Sequence, residues 1–295
     1  MPALTLSRDN LLKMVRKARS NGELPLGAER LMKDTYGGER MDLEALEQKI
    51  EKFSDNPTLE EYLPVIDYDE PEFYFWSYRM FMALAMARPV LLEQDPELFV
   101  DGSKRLEDED LVLDGDGDRM VVTGDLTLER GNLKIDDGAE LLVLGDLTID
   151  GSLLDKSEWS LVIVLGDVTI TGRCLSSGEF FVGGHFKCPV AYFSYNHGQC
   201  TLMDGVTSRI FIESDHGGSQ VWGDVGVDFL LIDEIHGMEW QELSEGIPAL
   251  REMLTDPTMI DEALENADGI PDDIDMWDFT QRLVELSESE DFLVQ

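Results

Sequence analysis

One five-residue unit recurs at a fixed interval and constrains the fold more than any other feature. Gly124-Asp125-Leu126-Thr127-Leu128 returns as Gly145-Asp146-Leu147-Thr148-Ile149 and again as Gly166-Asp167-Val168-Thr169-Ile170, at steps of 21 and 21 residues. Weaker echoes follow at Gly184-His185-Phe186, Gly205-Val206 and Gly223-Asp224-Val225, at steps of 18, 21 and 18. A second glycine column, Gly117, Gly138, Gly178, Gly198, Gly217 and Gly237, runs out of phase at steps of 21, 40, 20, 19 and 20. The step of 40 reads as two coils, with Lys156-Ser157-Glu158 filling the skipped corner. Two glycine columns sharing a period of about 20 residues indicate a solenoid in which each repeat packs on its neighbours.

Side chains specify the coil. Within each unit Leu126 and Leu128 fall on one face and Asp125 and Thr127 on the other, the alternation a β-strand requires. Stacking places Leu126, Leu147, Val168 and Phe186 in one interior column and Leu128, Ile149, Ile170 and Cys188 in the next. The runs Leu141–Leu144 and Leu161–Leu165 supply a further wall. Glycines mark corners where the backbone takes positive φ or crowds a neighbour. Helical periodicity is absent between corners, so the expectation is a parallel β-helix of about six coils, one per glycine anchor. A leucine-rich repeat would need a recurrent Asn or Cys after its leucines, and a hexapeptide helix sixfold spacing; the sequence shows neither.

The Gly-Asp-Leu/Val-Thr-Leu/Ile units at 124–128, 145–149 and 166–170 resemble those of the bactofilins, polymer-forming bacterial β-helix proteins, over well under half of the chain. The resemblance implies a right-handed β-helix that self-associates through open solenoid ends. Bactofilin tails are short and mostly unstructured, whereas this chain has long flanks that read as folded. The expected class is therefore α+β: a helical N-terminal domain over 1–100, a parallel β-helix over 101–237 and an acidic helical C-terminal cap over 238–295.

The first hundred residues read as helices. Ser7 caps a helix carrying Leu11, Leu12 and Val15, stopped by Gly22 and basic through Arg8, Lys13, Arg16, Lys17 and Arg19. Such a helix is expected to rest on the protein's own acidic surface, a partner contact being the alternative. Leu43, Leu46, Ile50 and Phe53 mark a second helix, and Asn56-Pro57 opens a third that Pro64 keeps short. Pro71 opens an aromatic helix, Phe73 to Met82, read as a buried bundle centre or a partner groove. Beyond Gly237, Ile247–Leu254, Met259–Leu264 and Trp277–Leu286 suggest further helices.

Charge narrows the function. The formal net charge is −39, divided as −7 over residues 1–100, −17 over 101–236 and −15 over 237–295. This disfavours binding to nucleic-acid backbones or anionic membranes. Three cysteines at no metal-ligand spacing fit a reduced compartment. The chain carries no long apolar h-region at its start and no apolar run of 18 residues, so the expected location is cytoplasmic.

Two columns invite chemistry. Asp125, Asp146 and Asp167 stack at about 4.8 Å per coil, either as corner residues accepting backbone N–H bonds or as a cation site or glycosidase carboxylate pair. No Arg or Lys accompanies the column to bind a uronic acid. His197, His216 and His236 each precede a glycine at steps of 19 and 20, either as turn residues or as zinc ligands. Asp114, Asp116 and Asp118 start like a calcium loop, but positions six and twelve are Arg119 and Asp125 where Gly and Glu are required. Lacking a complete catalytic constellation, the sequence reads as a non-enzymatic protein with no cofactor and no bound metal. Its charge points to a basic protein partner of the toxin kind, met by a monomer or small oligomer through Asp125, Asp146, Asp167 and the C-terminal Asp272, Asp273 and Asp275. A bactofilin-like scaffold and a β-helix carbohydrate-active enzyme are the alternatives.

Overall fold

A computed structural model describes residues 6–21, 43–62, 104–115, 119–136, 138–157, 159–194, 200–214, 220–221 and 223–231. Helix α1 spans Arg8–Asn21 and α2 spans Leu43–Ile50. A four-residue α3, Leu59–Tyr62, follows. The Ser7 hydroxyl caps α1 by accepting from the Asn10 N–H at 3.4 Å, as its position predicts. At α3, Thr58 and Glu61 exchange side-chain and backbone bonds of 2.8 and 3.1 Å, a capping box that fixes where the turn starts. The basic face of α1 is answered within the chain: Arg16 pairs with Glu47 and Glu51, Arg19 with Glu44 and Glu47, and Arg8 with Asp55. Leu6, Leu11, Val15, Leu46 and Ile50 are buried in this helical unit.

Residues 104–231 form a parallel β-solenoid with three faces. Strands β1 (Lys104–Glu107), β4 (Leu126–Glu129), β7 (Leu147–Ile149), β10 (Val168–Ile170) and β13 (Phe186–Lys187) pair in parallel along the first face. The second face stacks β2 (Leu111–Leu113), β5 (Leu133–Ile135), β8 (Leu153–Asp155), β11 (Arg173–Ser176) and β14 (Val190–Ser194). The third stacks β3 (Arg119–Val122), β6 (Glu140–Val143), β9 (Leu161–Val164), β12 (Glu179–Val182), β15 (Cys200–Leu202) and β17 (Gln220–Val221). In the next turn the first two strands fuse into the ten-residue β16 (Gly205–Ser214), which pairs with both β13 and β14 and then with β18 (Asp224–Leu231). The solenoid thus has about five regular turns where the glycine anchors predict about six, because the corner between the first two faces disappears in β16.

Register bears out both interior columns. Leu126, Leu147, Val168 and Phe186 are directly paired and fully buried; Leu128, Ile149 and Ile170 are paired two residues on, and Cys188, just past the end of β13, is buried behind them. The core changes character along its axis. Aliphatic side chains fill the early turns, and Phe180, Phe186, Phe193 and Phe211 fill the later ones with ring centroids 5.4–6.0 Å apart. One anchor is corrected by the pairing: Phe186 faces Val206, so Gly184 aligns with Asp204 and Gly205 takes the aspartate position, at φ 112°. The dipeptide is inverted there, which a search for recurring glycines passes over.

A third glycine column at the second corner, Gly131, Gly151 and Gly172, uses the same principle as the anchors. A Cβ on Gly131 would lie 2.1 Å from the Glu109 carbonyl oxygen, and one on Gly151 2.2 Å from that of Gly131. Side chains one turn earlier accept from the backbone here: Asp110 from the Asn132 N–H at 2.8 Å and Asn132 from the Ser152 N–H at 2.9 Å. The first two turns, which precede most of the anchors, are also joined by ion pairs. Arg105 reaches Glu129, Arg130 grips Asp108 at 2.5 and 2.8 Å, Lys134 meets Asp110 at 2.6 Å, and Arg119 pairs with Glu140. Asp108 and Arg130 both hold φ at 55°, so the pair joins two left-handed corners.

Burying a charge between turns should undo this structure. Leu147→Asp or Ile170→Asp is expected to abolish the cooperative unfolding transition seen by circular dichroism. A retained native spectrum with either substitution would refute the register.

Candidate functional site

The aspartate ladder on the first face is the candidate set that lies wholly among the described residues. Asp125, Asp146 and Asp167 are exposed and stand in register, immediately before β4, β7 and β10. Each commits one oxygen to the backbone one turn on. Asp125 Oδ1 accepts from the Asp146 N–H at 2.9 Å, Asp146 Oδ1 from the Asp167 N–H at 2.9 Å, and Asp167 Oδ1 from the His185 N–H at 2.8 Å. The glycine beside each rung makes room for the carboxylate below it. A Cβ at Gly145, Gly166 or Gly184 would stand 2.2, 2.1 and 2.1 Å from Oδ1 of Asp125, Asp146 and Asp167. Aspartate and the next glycine are therefore one unit, and the corner-bonding reading of this column is the geometry the structure has.

His185 closes the ladder. Its Nε2 lies 2.8 Å from Thr207 Oγ1 and its Nδ1 3.3 Å from the Asp204 carbonyl oxygen. With an imidazole in the aspartate position, no carboxylate enters the space beside the next corner, and Asp204 stands where a glycine stood in earlier turns. Asp272, Asp273 and Asp275, the column His197, His216 and His236, the aromatic run 73–82, and Asp116 and Asp118 lie outside the described residues. Among the described residues no group of three or more His, Cys, Asp or Glu side chains is arranged to hold a metal ion. Nor is any described helix long and apolar enough to cross a membrane.

A second cluster was not anticipated. Asp155 occupies an interior position, in register with Ile135 and Ser176, and is 2% exposed. Its Oδ1 accepts from Ser160 Oγ at 2.6 Å and the Ser157 N–H at 3.2 Å, and its Oδ2 from Ser176 Oγ at 2.9 Å and the Gly178 N–H at 3.3 Å. Ser157 Oγ in turn accepts from the Gly138 N–H at 3.0 Å. Glycine needs only this context at 178, where a Cβ would fall 1.9 Å from Ser160 Oγ. The cluster therefore ties three turns at the third corner. Burial pushes the Asp155 carboxyl above its ordinary value, against the opposing effect of its four donors. The sequence signal was an Asp in a strand position that is Ile one turn earlier, visible only once the register is known.

The three cysteines are free and buried. Burial raises the thiols of Cys174 and Cys188, the latter to about 12, and Cys188 Sγ donates to the Val190 carbonyl oxygen at 3.0 Å. Protonated, enclosed thiols are neither nucleophiles nor metal ligands. Comparison with known protein families, with characterised proteins and with solved structures returned no match.

The raised carboxyl has a measurable consequence. Because the folded protein holds the Asp155 proton more tightly than the unfolded chain does, this group's contribution to stability is greatest below the ordinary aspartate range. It is lost as pH rises through the raised value. In Asp155→Asn that component of the pH dependence should vanish, so the difference in unfolding free energy between wild type and variant should vary with pH from about 4 upward. A difference independent of pH would show that Asp155 titrates normally.

Proposed function

We propose that this protein is a non-enzymatic binding protein that engages and neutralises a basic protein, in the manner of an immunity or inhibitor protein for a basic bacterial toxin in the cytoplasm. The observation that carries the reading is the net charge of −39 together with an exposed, regularly spaced aspartate column. Among the described residues, cross-turn ion pairs made by Arg105, Arg119, Arg130 and Lys134 join the first two turns. Asp146 and Asp167 stand beyond them. Asp125, Asp146 and Asp167 are the proposed contact set on the solenoid, with Asp272, Asp273 and Asp275 beyond it. Acidic surfaces of this kind accelerate association with basic partners and lose the advantage as salt screens charges beyond about 8–10 Å.

One observation favours the second reading, a bactofilin-like scaffold built on a right-handed solenoid. Leu106, Leu111 and Leu113 in the first turn and Val227 in the last strand pack on the core yet are only partly buried. Partly open solenoid ends suit end-to-end association.

The two readings separate by experiment. Affinity capture from the native cell should recover a basic protein at a one-to-one ratio, released by high salt. Filaments of the intact protein at physiological salt would favour the scaffold instead. The triple variant Asp125→Asn, Asp146→Asn, Asp167→Asn keeps an acceptor oxygen at every rung while removing three charges. It should fold normally and associate with the captured partner at least several-fold more slowly at low salt. An unchanged association rate would remove the ladder from the interface.

A further inference from the structure

The corner that joins β8 to β9 takes five residues, 156–160, where the next turn crosses from β11 to β12 in two, 177–178. Asp155 holds it down: Ser160 Oγ and the Ser157 N–H donate to its carboxylate, and both serines are buried. Trp159 joins this network through its backbone N–H, which donates to Ser157 Oγ at 3.2 Å. Its side chain is 63% exposed. Nothing in these bonds calls for an indole, since any residue with a backbone N–H would serve.

Among the described residues three large apolar side chains are exposed, Val112, Trp159 and Val225. Val112 belongs to the first turn and Val225 to the last described strand, where the stack runs out. Trp159 stands in the third of the regular turns, with strands paired on either side of β8 and β9, so an open end does not account for it. A ring carried on a corner fixed by a buried carboxylate has little freedom left to lose on binding.

We propose that Trp159 anchors a basic side chain, arginine before lysine, of the partner protein. This contact presupposes the basic partner proposed above and names where that partner is held. The face of an indole attracts cations more strongly than that of any other aromatic side chain, and arginine is the cation most often found there. Residues 101–236 carry a net charge of −17, a balance that counts every charged side chain whether paired or not. A cation is therefore drawn to this part of the chain in preference to an anion or a neutral group. Lys156 and Glu158, on the same corner, cancel in formal charge. Tryptophan and arginine are also the residue types that most often dominate the energy of protein interfaces. The two kinds of contact act on different rates: exposed aspartates speed the approach, and the indole slows the departure.

Indole N–H resonances of the full chain test this, with hexa-arginine as the probe. The chain has five tryptophans, and the signal missing from Trp159→Phe identifies Trp159. At physiological salt hexa-arginine should move the Trp159 signal more than any other indole signal. Trp159→Ala, with an unchanged unfolding transition, should bind the peptide about two- to fivefold more weakly than wild type. Val112→Ala should bind it as wild type does. Equal affinity of wild type and Trp159→Ala would mean attraction by charge alone and overturn the proposal. So would a Trp159 signal that moves with cellohexaose, or with protein concentration, and not with hexa-arginine; the ring would then serve a carbohydrate or a second copy. Affinity capture separates this contact from the reading beneath it. A captured basic protein that dissociates from Trp159→Ala as slowly as from wild type overturns the anchor and leaves the partner standing. Recovery of no basic protein overturns both.

Discussion

The bond from an aspartate carboxylate to the backbone N–H one turn further on is the interaction from which the solenoid's regularity follows. It requires the residue beside the receiving N–H to lack a Cβ, since Oδ1 of Asp146 would lie 2.1 Å from a Cβ on Gly166. Gly166 is also crowded by the Gly145 carbonyl oxygen, which would stand 2.6 Å from that Cβ. The repeat therefore couples two positions in different turns, and the coupling propagates: each Gly-Asp dipeptide receives the carboxylate below and offers one above. Two further corners solve the same problem with other acceptors, Asp110 and Asn132 at one and Asp155 at the other.

The same bond reconciles a like-charged column with a stable fold. Three exposed aspartates at strand spacing repel one another, but repulsion in water is modest at these separations. A charged acceptor bonded to a backbone N–H contributes about 1.5–3 kcal/mol where it is shielded and less where it is exposed. Structure therefore explains why these aspartates repeat, without any partner. What structure leaves over is their net charge, since Asn would bond equally well. That surplus is the part open to selection for binding.

Much of this was legible in the sequence, and the failures have physical causes. The interior columns, the parallel pairing and the basic helix answered by the chain's own acids were all readable, because each depends on residue type at a fixed interval. Spacing alone misplaced Gly205, because an Asp-Gly inversion preserves the interval while exchanging the roles of its members. The column Gly131, Gly151, Gly172 was overlooked because its partners, Glu109-Asp110, Asn132 and Ser152, share chemistry but not identity. The ladder residues Asp125, Asp146 and Asp167 are legible as a column whose regular repetition favours corner bonding over a cation site, and the carboxylate-to-backbone bonds agree. Asp155 was invisible: an interior carboxylate is recognisable only when its register with Ile135 and Ser176 is known.

The continuous apolar runs are the more instructive case. Leu141–Leu144 and Leu161–Leu165 look like one more interior wall, but a strand buried on one side alternates and does not run. In the first face alternation is strict, with Thr127, Thr148 and Thr169 outside and leucine, isoleucine or valine inside. In the third face β9 is buried at all four positions, as parallel strands covered on both sides are. The difference between an alternating and an unbroken run is thus a statement about the outer layer. It already says, from residues alone, that one face of this solenoid is sealed and another is open. A substitution that restores alternation separates the two. Ile163→Lys points a charge into the cover and should destabilise the fold by about 2–4 kcal/mol. Thr148→Lys, on the open face, should change stability by less than about 0.5 kcal/mol. Equal effects in denaturant titration would mean that both faces are covered, and the partner surface would then have to lie elsewhere.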